Sequence, residues 1–153
     1  MGTWGPGAFD NDDARDLLDW LAGADEAERL KALEWIFRAG RERHGDLGEF
    51  RRPGTVVGAA AVAAAGLEQG EAILVEITEL GYEAAAVLIP ESSPALACDA
   101  LASLLIAAGR DGEWHQGWTD AGTAMQARQT TDQLASVFYR YQHRHDQELP
   151  LEY

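Results

Sequence analysis

Between Gly54 and Leu67 the chain carries no charged side chain and little larger than valine, reading Gly-Thr-Val-Val-Gly-Ala-Ala-Ala-Val-Ala-Ala-Ala-Gly-Leu. Alanine is the best helix former, so the segment predicts a helix over about Thr55 to Leu67, ended by Glu68-Gln69-Gly70. A helix that is apolar on every side must be covered on every side. It is too short to cross a bilayer, which takes about 20 apolar residues. The remaining solution is a central helix wrapped by others. Its small side chains let neighbours approach at the short end of the usual ~8–10 Å spacing.

The flanking sequence supplies those neighbours. Ala14, Leu17, Leu18 and Leu21 recur at helical spacing and predict a helix over about Asp12 to Ala22. Asp10 or Asn11 would cap it, Asp12 and Asp13 would complement its dipole, and Gly23 would close it. A second helix, about Asp25 to Gly40, starts acidic and ends near Arg38, Arg41 and Arg43, with Leu30, Leu33, Ile36 and Phe37 as its stripe. Glu71 to Leu80 is β-branched enough to be a strand. A lone strand would lack a pairing partner, and Ile73, Ile77 and Leu80 fit helical spacing, so a helix is expected. Tyr82 to Ile89 reads as a short helix or an irregular apolar segment. Ser93 and Pro94 open the next helix as N-cap and first residue, with Ala97, Leu101, Leu104, Leu105 and Ala108 facing inward and Gly109 ending it. Trp114, Trp118, Ala121 and Met125 share a face of a helix over about Glu113 to Gln126. Thr130 and Gln133 read as a capping box opening a final helix to about His145, with Leu134, Val137, Phe138 and Tyr141 inward and residues 146–153 frayed. The expected fold is all-α, one domain over residues 1–153, with five or six helices.

The chain has 153 residues and a net charge of -14, from 26 acids against 12 bases. A chain of this size can bury a core without staples. Lys31 is the single lysine and the arginines are scattered, whereas a phosphate backbone needs clustered bases, so no nucleic-acid role is expected. The acidity serves solubility or a basic partner. Cys98 is the lone cysteine, the start lacks a secretory pattern, and no apolar run spans a membrane, so the expected location is the cytoplasm.

No constellation spells out a reaction. Asp10, Asp12, Asp13, Asp16 and Asp19 form the densest polar cluster; their carboxylates suit a hard cation, but the EF-hand spacing is missing and helix capping accounts for most of them. His143 and His145 are the only clustered histidines. Two residues apart, they share no helical face and could reach one metal only where the helix has frayed. Cys98 sits among apolar neighbours and reads as a buried, inert thiol. No serine lies in a Gly-x-Ser-x-Gly turn. Gly2, Gly5 and Gly7 precede no Gly-Lys-Ser/Thr; they give the backbone freedom to tuck Trp4 and Phe9 against the first helices. Trp114 and Trp118, at i and i+4, are either core or an exposed partner anchor.

The opening Met1-Gly2-Thr3-Trp4-Gly5-Pro6-Gly7-Ala8-Phe9-Asp10-Asn11-Asp12-Asp13-Ala14 resembles a bacterial family catalogued as domain of unknown function 4259. Its members begin Met-Gly-(Ala/Thr)-Trp-Gly-x-Gly-x-Phe-(Asp/Glu)-Asn-Asp, then Ala and a further Asp, a position that Asp16 fits. The alanine-rich helix looks like the family's central helix, although Ala59 to Ala65 lacks the acid usual there. Gly112-Glu113-Trp114 to Trp118 looks like the segment before its last helix. The resemblance implies a fold and marks Trp4, Gly5, Phe9, Asp10 and Asn11 as its structural motif. It brings no activity, cofactor or catalytic residue.

The expected function is therefore a non-enzymatic acidic module of the immunity or neutralising type. It would bind a basic protein through Asp12, Asp13, Asp16, Asp19, Trp114 and Trp118, with no cofactor. The alternative is a small metal-assisted hydrolase built on the N-terminal aspartates with a distant histidine.

Overall fold

A computed structural model describes residues 7–41, 53–67, 70–83, 94–108 and 121–148. Among these residues there are six α-helices and no strand: α1 (Asp12–Ala22), α2 (Glu26–Arg41), α3 (Pro53–Ala65), α4 (Glu71–Glu79), α5 (Pro94–Ala108) and α6 (Ala121–Glu148). The fold is all-α, as the periodicity requires.

The alanine helix is the hub. Every residue from Gly54 to Ala65 is buried, and α3 packs against each of the other five helices. The closest approach is to α1. A Cβ placed on Gly58 would lie 2.8 Å from the Ala14 Cβ and 3.2 Å from its Cα, so only glycine lets the two backbones meet at this distance. Leu17, Leu18 and Leu21 extend the same buried face of α1.

Local chemistry sets the helix ends. Asn11, not Asp10, caps α1: its Oδ1 accepts the Ala14 N–H at 2.8 Å. Gly23 closes α1 in a right-handed conformation (φ -91°), not the left-handed one its type favours, with its N–H donating to the Trp20 carbonyl. Asp25, expected inside the first turn of α2, stands just before it in a capping box. The Glu28 N–H donates to Asp25 Oδ1 at 2.8 Å, and the Asp25 N–H donates to Glu28 Oε1 at 3.1 Å. Segment 71–79 is helical and ends at Leu80-Gly81, where Gly81 takes φ 99°. Only Ile77 of this helix is fully buried, which explains why its sequence reads ambiguously.

Three expectations are corrected. Thr130 opens no helix: α6 runs unbroken from Ala121 to Glu148. The Thr130 hydroxyl donates back to the Gln126 carbonyl at 3.1 Å and the Thr131 hydroxyl to the Arg128 carbonyl at 2.9 Å. Mid-helix threonines satisfy themselves this way, so the box pattern carries no boundary. Two positions expected to face inward instead face solvent: Leu105 and Met125 are 45% and 64% exposed. Cys98 is also exposed, on the solvent side of α5, where Gln142 Nε2 of α6 lies 3.3 Å from its Sγ. Its apolar neighbours face the core instead, with Leu96, Ala97, Ala100 and Leu101 all buried. Between α5 and α2, the buried Ser103 hydroxyl donates to the Phe37 carbonyl at 2.6 Å. Residues 84–93, most of the Tyr82 to Ile89 segment, lie outside the described residues.

Candidate functional site

The opening motif builds the end of α1. Phe9 is buried, the Gly7 N–H donates to Asp10 Oδ2 at 2.9 Å, and the Asp10 N–H donates to the Gly7 carbonyl at 3.1 Å. Arg15 Nε reaches back to the Phe9 carbonyl at 3.0 Å. Gly7, Asp10, Asn11 and Ala14 thus turn the chain into α1 and seat that helix on α3. Trp4 and Gly5 lie outside the described residues.

The five aspartates do not converge on one point. Asp10 latches the turn, Asp12 is exposed in the first turn, and Asp19 accepts a hydrogen bond from the Tyr82 hydroxyl at 2.5 Å. Partial burial of Glu76 raises its pKa, repulsion from Asp10 and Glu79 adds to this, and Arg15 opposes it. Glu76 is exposed as a residue, so its carboxyl is the part that lies in this crowded acidic surround. The Tyr82 hydroxyl is likewise pushed up, by burial, by its hydrogen bond to Asp19 and by the Asp19 charge. Asp10, Arg15 and Asp19 therefore form the polar face that α1 turns toward α4 and the turn after it.

Asp13 and Asp16 border a second surface, although the Asp16 charge also adds to the rise at Tyr82. They line an open groove of 690 Å³ together with Leu17 and Trp20 of α1, Glu28, Lys31, Ala32, Trp35 and Ile36 of α2, and Thr55 of α3. The α1 residues fall at i, i+3, i+4 and i+7, and the α2 residues at i, i+3, i+4, i+7 and i+8, so each wall is one continuous helical face. Both helices pack along α3 more than along each other. Arg29, buried, ties them at the connector through its Nε and the Leu21 carbonyl at 2.9 Å. The groove lies open between them. Trp20 is 51% exposed and Trp35 44% exposed. The groove therefore has an apolar, aromatic interior with three carboxylates and one ammonium at its edges.

Trp20, Trp35 and Glu28 were not singled out by sequence reasoning, which looked for a partner anchor at Trp114 and Trp118. The signal was present: Trp20 and Trp35 each lie off the buried stripe of their helix, in rows that also carry Asp13 and Asp16 or Glu28 and Lys31. Trp114 and Trp118 lie outside the described residues. His143 and His145 lie within α6, whose bounds are Ala121–Glu148. Among the described residues no three His, Cys, Asp or Glu side chains are grouped to hold a metal ion, and no helix is long and apolar enough to cross a membrane.

The family model for a domain of unknown function, DUF4259, matches residues 2–131, and the chain belongs to that family. Comparison with curated proteins and with solved structures finds no match.

Proposed function

We propose that this protein is a non-enzymatic interaction module that captures a basic protein partner, in the manner of an immunity or neutralising protein. The observation that carries this reading is the groove between α1 and α2. Two half-exposed tryptophans there stand among Asp13, Asp16 and Glu28, on a chain of net charge -14. Tryptophan is enriched in interface hot spots because it buries a large rigid surface, and an acidic rim speeds encounter with a basic partner. The metal-assisted hydrolase draws less support. Asp10 and Asp19 hold the Gly7 turn and the Tyr82 hydroxyl, and Asp13 and Asp16 line the groove instead of joining them.

Co-purification from cell extract at low and at moderate salt tests the proposal. A basic protein should be retained at low salt and weakened at moderate salt, since exposed charges are screened over about 10 Å at 0.1 M. Recovery of no partner at either ionic strength would remove it.

A further inference from the structure

We infer that the occupant of the groove is a basic amphipathic α-helix of the partner, laid between α1 and α2 on α3; this rests on the reading of the protein as a binder of basic partners. The groove is the space between two helical faces, and side chains in helical register form each wall. A third helix completes such a pair by setting its own apolar row on the exposed rows, which is how helix-in-groove recognition works.

Charge specifies the chemistry of that helix. Near the connector stand Trp20 and Glu28; at the other end Asp13 stands by α3, where a Cβ on Gly54 would lie 3.3 Å from the Asp13 Cβ, and Asp16 lies between. Each end of the groove thus pairs apolar surface with a carboxylate, and Lys31 alone is positive. A helix with leucine-like residues on one side and arginines flanking them meets both kinds of surface. Arginine suits these places because its guanidinium stacks on indoles and also bonds carboxylates in fork geometry.

The test uses the full chain and three synthetic peptides. The first is an amphipathic helix with a leucine row flanked by arginines. The second has the same composition scrambled and a central proline. The third is the first peptide with glutamate for arginine. Tryptophan emission reports binding and circular dichroism reports peptide helicity. The helical arginine peptide should shift the emission to the blue and gain helix on binding. Trp20→Ala and Asp16→Asn should each weaken it, Trp20→Ala by roughly tenfold. Glu79→Gln, which removes the same charge from α4, should leave it within about twofold.

Equal binding of the scrambled peptide would overturn the helix while leaving a basic partner standing. Binding of none of the three, or tighter binding of the glutamate peptide, would overturn both readings. Self-association of the protein that Trp20→Ala abolishes would assign the groove to a second copy of this chain and would likewise overturn the inference.

Discussion

The two polar sides of α1 carry the same residue type and do different work. Toward α4, the Asp19 carboxylate receives the Tyr82 hydroxyl and Asp10 holds the Gly7 turn, so acid is spent on the protein's own bonds. Toward α2, Asp13 and Asp16 border half-exposed tryptophans in an open groove. On one side the Tyr82 hydroxyl reaches Asp19 from the turn after α4; on the other the groove separates α1 from α2. Asp10 and Asp19 are thus engaged by the chain itself while Asp13 and Asp16 line the groove, with the Asp16 charge felt on both sides.

The contrast can be broken at its shared support. Gly58→Val places a branched side chain against Ala14, where even a Cβ comes to 2.8 Å. It should lower stability in denaturant melts by about 1–3 kcal/mol and weaken both sides of α1 together. Ala14→Gly in the same chain should return part of the loss; no recovery would mean that the two backbones do not meet there. A smaller effect isolates the α4 side. Tyr82→Phe removes the bond to Asp19 and should cost about 0.5–1 kcal/mol, with peptide binding in the groove unaltered. A loss of binding in this variant would show the two sides to be coupled.

The smallest effect is a pH dependence. Glu76 holds its proton more tightly in the folded chain than in the unfolded one, whose reference value is 4.5. Its contribution therefore favours folding in full below that value and is lost as pH rises through the raised folded pKa. Glu76→Gln should raise the thermal midpoint slightly at neutral pH and give no gain below pH 4.5. A gain of equal size at both pH values would assign the effect to something other than ionisation.

Much of this was legible along the chain. The buried stripe of α1, the all-round burial of α3 and the helix at 71–79 follow from spacing and residue size, which act over a few turns and need no partner to be read. The errors share a cause. Cys98, Leu105 and Met125 lie beside core positions and differ from them only by the angle at which their helix meets its neighbours. Thr130 carries a capping pattern that the continuous helix satisfies from within. The groove was missed because its tryptophans satisfy the same hydrophobic criterion as the core.

By itself the sequence determined an all-α fold, a central alanine helix, the capped start of α1 and an acidic surface, because helix periodicity and capping are local and the charge sum needs no coordinates. Only the tertiary structure decided which apolar rows are covered. That depends on how α1 and α2 seat on α3, where Gly58 meets Ala14 and Arg29 ties the connector, contacts between residues that no periodicity links.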